Sequence, residues 1–122
     1  MKILITENKR YQLAYKVLDN ILDGLTREDK DMNVNSVFSN HRVLFKDGNG
    51  NIVLKWLENN EGLYVYRDFW LPLSVFSFGE EELQRVIFWW FKDRIRIEPE
   101  EVYLMGYLLL SLIHLILVVR RF

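Results

Sequence analysis

The sequence has few of the cysteine and histidine side chains on which most zinc sites depend. The chain has no cysteine, and its two histidines, His41 and His114, lie far apart. A zinc site normally needs three or four Cys, His or carboxylate ligands at defined spacing. We interpret His41 as a solvent-facing residue at the edge of a strand and His114 as part of a polar helix stripe. The sequence therefore predicts neither a metal site nor a cofactor.

The short motifs of common catalytic sites are also missing. The sequence contains no G-x-S-x-G, no H-E-x-x-H and no glycine-rich phosphate loop. Residues 47–51 (DGNGN) could be mistaken for a calcium loop, but they lack the alternating carboxylates and distal glutamate of an EF-hand. Glycine and asparagine tolerate positive φ, so this run is typical of a hairpin turn. We predict no catalytic residues, no enzymatic activity and no small-molecule substrate.

One stretch combines basic and aromatic side chains, as proteins that bind single-stranded nucleic acid do. It contains Arg85, Phe88, Trp89, Lys92, Arg94 and Arg96. Acidic residues 80–82, 93 and 98 interleave with these side chains, and the net charge of the whole chain is −1. We favour a solvated helix face with aromatic side chains available for protein contact, because surface tryptophan is typical of interfaces. Nucleic-acid binding stays as an alternative.

The elements that must position these residues begin with an amphipathic helix. Thr6 is a favourable N-cap, and apolar residues then recur at i, i+3 and i+4 from Tyr11 to Leu25, with Gly24 placed to end the helix. Residues 26–40 are charged and then rich in Asn and Ser, without periodicity. This pattern predicts a surface loop.

The middle of the chain predicts a three-stranded antiparallel meander over residues 42–46, 52–57 and 63–66. Asp68 could cap a short helix with Pro72 in its first turn. A more regular helix begins at Glu80, and its spacing predicts a buried face made of Leu83, Val86, Ile87, Trp90 and Phe91, with Phe88 and Trp89 on the flanks. Residues 94–97 alternate as a fourth, half-exposed strand would.

The C-terminal part is unusually apolar. Residues 99–101 (Pro-Glu-Glu) are typical of a helix start, and no charged residue follows from 102 to 119. Tyr103, Tyr107, Ser111 and His114 would share one stripe of an otherwise apolar helix. Such a helix must be covered on most sides, so protein, in an oligomer or a larger assembly, or a membrane should supply the cover. Its length, roughly 27 Å, is at the short end for a bilayer crossing.

Two parts of the sequence resemble a family of small uncharacterised proteins from large tailed bacteriophages and marine metagenomes. Residues 2–8 (KILITEN) are similar to their opening K-I-x-I-T-E-[NS] strand, which leads into a helix. Residues 62–65 (GLYV), Trp70, residues 81–84 (EELQ) and Trp90 are similar to their central strand, aromatic segment and E-E-[IL]-Q…W helix. The resemblance implies a phage gene product, located in the host cytoplasm or the virion. It supplies no catalytic residues.

Together these observations predict an α+β fold. Residues 1–98 would form a small domain with an N-terminal helix, a three- to four-stranded antiparallel sheet and middle helices, and residues 99–122 a long apolar helix. The leading functional hypothesis is a non-enzymatic structural or protein-interaction subunit, and the first alternative is a small membrane protein. The predicted interaction surface comprises Phe88, Trp89, Tyr103, Tyr107, Leu108, Leu112 and Leu115.

Overall fold

The computed structural model describes residues 2–31 and 41–106 of the chain, which form an α+β fold. Its helices are α1 (Lys2–Asp23), α2 (Arg67–Trp70), a 3-10 helix (Leu71–Phe76) and α3 (Glu80–Ile95). Its strands are β1 (Thr26–Asp31), β2 (His41–Lys46), β3 (Ile52–Leu57), β4 (Gly62–Val65) and β5 (Glu101–Leu104).

The five strands form one mixed sheet in the order β1-β2-β3-β4-β5. Strands β1 to β4 pair antiparallel, and this confirms the predicted meander. The β2–β3 turn is closed by the carboxylate of Asp47, which accepts hydrogen bonds from the backbone N–H groups of Asn49 and Asn51, each at 2.9 Å. Strand β5 runs parallel to β4, so the chain between them crosses over through α2, the 3-10 helix and α3.

One face of the sheet packs on the helices to form the core. The register places Val43 beside Trp56, Phe45 beside Leu54, and Leu63 beside Val102 on this face. The Phe45 ring meets the Phe91 ring of α3 edge-on, with centroids 6.3 Å apart. All five residues predicted for the buried face of α3 are buried: Leu83, Val86, Ile87, Trp90 and Phe91. Ala14 and Leu18 of α1 complete the same cluster.

Three predicted boundaries differ near the N-terminus and in the middle of the chain. Helix α1 already begins at Lys2, so Thr6 lies inside the helix and is not its N-cap. Residues 26–31 form β1 rather than a loop, because backbone pairing with β2 and ion pairs such as Lys46 Nζ to Glu28 Oε2 (2.7 Å) hold an entirely polar strand at the sheet edge. Asp68 lies in the first turn of α2, where Tyr66 is the N-cap.

The predicted fourth strand over residues 94–97 is wrong. Helix α3 continues to Ile95 and ends where Arg96 adopts φ 68°, the left-handed conformation typical of a helix C-terminus. The helix predicted to start at Pro99 is also wrong at its beginning, because residues 101–104 are β5. The sheet is therefore five-stranded and mixed rather than three- to four-stranded and antiparallel.

The position of β5 is explained by what it covers. Beside β4, it buries Val102 against the core and places its backbone in the sheet. Residues 107–122, which hold most of the predicted apolar helix, lie outside the described residues. Across residues 2–31 and 41–106, no helix has the length and apolar character needed to cross a membrane.

Candidate interaction surface

Helices α1 and α3 pack side by side, and hydrogen bonds join them near both ends of their contact. The Tyr11 hydroxyl donates to Glu82 at 3.2 Å, the Tyr15 hydroxyl to Asp93 at 3.4 Å, and the Trp90 indole N–H to Asp19 at 2.8 Å. The pair is therefore parallel. Since Tyr11 meets Glu82 and Asp19 meets Trp90, eight residues further on in each helix, these contacts hold the two helices in one axial register.

Asp19 accepts most of the hydrogen bonds described between the C-terminal halves of these two helices. Besides the Trp90 indole, its two carboxylate oxygens accept from Nε and Nη2 of Arg94 at 2.8 and 3.1 Å. The hydrogen bonds from Arg94 are the main reason that the pKa of Asp19 lies below its usual value, and the Trp90 bond lowers it further against the opposing effect of burial. A charged carboxylate thus ties α1 to α3.

This linkage predicts a pH effect on stability. A carboxylate whose pKa is depressed by folding contributes stability above its unfolded pKa, near 3.9, and loses that contribution as the pH falls through the folded value. The unfolding free energies of the native chain and Asp19→Asn should therefore differ by a constant amount above about pH 5 and converge below about pH 4. Urea titrations at a series of pH values measure this, with Asp23→Asn on the same helix as control. A gap at pH 3 as large as the gap at pH 7 would contradict the role assigned to Asp19.

An open groove runs along the outer side of the α1–α3 contact. Its volume is about 310 Å³, and it is lined by Tyr11, Gln12, Tyr15, Arg85, Val86 and Trp89. Trp89 forms one wall and is 46% exposed, which is high for a large aromatic side chain. Tyr15 is half-buried on the opposite wall, and burial, followed by the nearby charge of Asp93 and its hydrogen bond, raises the pKa of Tyr15 to about 12. The Tyr15 side of the groove is therefore uncharged at neutral pH, while Arg85 places a positive charge in the lining.

The structure describes three of the seven residues predicted for the interaction surface, and it brings Phe88 and Trp89 together but leaves Tyr103 apart from them. Phe88 meets Trp89 edge-on at 5.2 Å between centroids and lines a smaller cleft with Gln84 and Val102. Tyr103 lies on the sheet face turned away from α3, because it follows the buried Val102 on a strand, and it stacks on Tyr64 at 5.0 Å. Tyr107, Leu108, Leu112 and Leu115 lie outside the described residues.

Two of the four basic residues considered for nucleic-acid contact, Lys92 and Arg94, have acidic partners within the chain. Arg94 is bound to Asp19, while the Lys92 ammonium lies 5.1 Å from the centre of the Trp89 ring and 3.7 Å from Glu98 Oε1.

His41 is half-buried, and its Nδ1 lies 2.8 Å from Asp31 Oδ1 on the neighbouring strand. Within the described part of the chain, no three His, Cys, Asp or Glu side chains are grouped as a metal site.

Sequence reasoning missed the α1 side of the groove. Tyr11 and Tyr15 fall on the apolar spacing that predicts the amphipathic helix, and both are only partly buried. Their hydroxyl groups were the available signal, since a tyrosine often keeps its polar end in contact with solvent.

No protein-family model matches the chain, and neither the curated proteins nor the solved structures include a significant match to it.

Proposed function

We propose that this chain is a non-enzymatic protein-interaction subunit whose binding surface is the α1–α3 groove. The single observation that supports this most strongly is the half-exposed Trp89 beside an apolar groove on a fixed pair of helices. Tryptophan is among the side chains that contribute most to binding when a partner covers them. The resemblance to phage proteins supports a partner in a virion assembly or the host cytoplasm. The apolar stretch of residues 102–119 is a second proposed contact.

The rigidity of the groove favours binding. The hydrogen bonds of Tyr11, Tyr15 and Asp19 fix α1 against α3, so the walls do not have to be ordered when a partner arrives. Those same bonds engage Glu82 and Asp93, the carboxylates nearest the groove. The titratable groups here therefore serve to hold two helices together, which is a structural role.

Replacing Trp89 by alanine tests the proposal. The substitution should reduce partner association about 30-fold, because it removes the largest exposed apolar wall of the groove. The tagged full-length chain and Trp89→Ala would be compared by quantitative affinity capture from the producing cells, and self-association by light scattering. Val75, 76% exposed in the 3-10 helix, supplies a matched control as Val75→Ala.

The expected result is a partner, or a second copy of the chain, that is lost with Trp89→Ala and retained with Val75→Ala. Equal recovery of every associated protein by both variants, with an unchanged oligomeric state, would overturn the proposal. Both substitutions replace exposed side chains, so melting temperatures close to that of the native chain are expected and separate loss of binding from loss of folding.

A further inference from the structure

The β2–β3 turn contains the only asparagine in this sequence that is followed by glycine, the pair Asn49 and Gly50. In such a pair the backbone nitrogen of the glycine can attack the side-chain carbonyl carbon of the asparagine, because glycine has no Cβ to hinder the approach. Asn49 and Gly50 are both exposed. Apart from its chain neighbours, no atom of the described residues lies within 4 Å of the position that a Cβ on Gly50 would take. Water and base therefore reach both reacting groups.

The backbone of the folded turn keeps this nitrogen occupied. The Gly50 N–H donates to the Asp47 carbonyl at 3.0 Å, and the Asp47 N–H donates to the Asn51 carbonyl at 2.9 Å. Within residues 47–51, all of which the structure describes, Gly50 alone has a positive φ, at 83°. These features fit a type I turn followed by a left-handed glycine, a common hairpin loop. Attack on Asn49 therefore requires the Gly50 N–H to leave its hydrogen bond.

The side chain of Asp47 reinforces the closed turn. Its Oδ1 accepts from the backbone N–H groups of Asn49 and Asn51, so it holds the residues on both sides of Gly50. Hydrogen bonds to a charged carboxylate are stronger than those between neutral groups. Asp47 is thus a positioning residue, because it opposes the opening that would free the Gly50 nitrogen.

We propose that Asn49 is a site of spontaneous deamidation and that Asp47 limits its rate by holding the turn closed. In the open turn the Gly50 nitrogen loses its proton to base and forms a bond to Cγ of Asn49. The side-chain amide nitrogen takes up a proton and leaves as ammonia, and a cyclic imide remains. Water then opens the ring at either carbonyl and gives aspartate or isoaspartate.

The isoaspartate product changes the hairpin permanently. Its main chain runs through the former side chain of Asn49 and is longer by one atom, so it no longer matches the loop length that sets the register of β2 and β3. Both products also add a negative charge close to Asp47. We therefore expect weaker β2–β3 pairing in the modified chain, whether or not the α1–α3 groove binds a partner.

Peptide mapping by mass spectrometry measures the rate at Asn49 in the full-length chain, and isoaspartate methyltransferase labelling identifies the product. In urea that unfolds the chain, Asn49 should convert faster than any other asparagine, because only Asn49 precedes glycine. In buffer at the same mildly alkaline pH, conversion should be at least about tenfold slower, because the turn must first open.

Substitution of Asp47 separates the effect of the turn from that of the sequence motif. In the folded chain Asp47→Ala should raise the rate at Asn49 at least about fivefold, since two hydrogen bonds of the closed turn are lost. Asp47→Ser keeps a hydroxyl acceptor and should give an intermediate rate. Asp68→Ala is the matched control, because it removes an exposed carboxylate outside the hairpin and should leave the rate unchanged. Circular dichroism melting establishes which variants are folded.

Faster conversion in urea than in buffer, with acceleration by Asp47→Ala but not by Asp68→Ala, supports the inference. Equal rates in urea and in buffer, an unchanged rate in folded Asp47→Ala, or earlier conversion of another asparagine in urea overturns it. If Asp47→Ala does not fold, Asp47→Ser decides in its place, and a rate equal to that of the native chain then excludes the role assigned to Asp47.

Discussion

Replacing Trp90 by alanine is expected to lower the free energy of unfolding by about 3 to 5 kcal/mol. Trp90 is fully buried, its ring lies 5.4 Å from that of Phe69, and its indole N–H bonds to Asp19. The substitution therefore empties the centre of the core and removes a bond between α1 and α3. A domain of this kind has a total stability of only about 5 to 15 kcal/mol, so the substitution should remove a large share of it.

Urea denaturation followed by far-ultraviolet circular dichroism measures this loss. The adjacent tryptophan is a matched control: Trp89→Ala removes the same side chain from a half-exposed position and should cost well under half as much. Trp90→Phe keeps most of the volume but not the indole N–H, so an intermediate loss is expected. Equal destabilisation by Trp89→Ala and Trp90→Ala would contradict the assignment of Trp90 to the core.

The second large effect is expected from the position of β5. A chain that ends at Pro99 should be less stable than one that ends at Gly106 by about 3 to 5 kcal/mol. The shorter chain loses the buried Val102, the Gln84 side-chain bond to the Val102 carbonyl (2.9 Å), and the Trp70 indole bond to the Met105 carbonyl (3.0 Å). It also exposes the edge of β4.

Both truncated chains lack residues 107–122, so their difference reports on residues 100–106 alone. Thermal melting and amide hydrogen exchange would follow it, with slow exchange expected in β4 only when β5 is present. Val102→Ala in the longer chain gives an independent check, because it leaves the strand in place and removes buried methyl groups. If the two truncated chains melt at the same temperature, β5 contributes nothing to the sheet.

The sequence allowed correct predictions where a local pattern decides the structure. The buried face of α3 follows from apolar residues at helical spacing, and the β2–β3 hairpin follows from glycine and asparagine between two apolar runs. Both signals lie within about 16 residues of sequence, which is the range over which periodicity can be read. Packing against distant elements alters neither the buried face of α3 nor the β2–β3 hairpin.

The missed strands have no such pattern. Strand β1 is polar on both faces, so it shows no alternation, and only pairing with β2 defines it. Strand β5 is short and pairs with β4 across a crossover that includes α3, while its preceding Pro-Glu-Glu run is typical of a helix start. The sequence predicted Trp89 as part of an interaction surface but not the opposite wall of the groove, because that wall depends on how α1 packs against α3.

The packing of α1 on α3 joins two parts of the sequence that are synthesised well apart in time, which delays completion of the core in a newly made chain. Asp19 and Trp90, which join the two helices, are separated by 71 residues. At a synthesis rate of about 5 to 20 residues per second, α1 leaves the ribosome roughly 4 to 14 s before its partner helix. Ala14 and Leu18 are without their covering side chains for that interval, whereas β2 and β3 can pair almost at once. The nascent chain thus leaves the apolar face of α1 uncovered for a time set by the elongation rate.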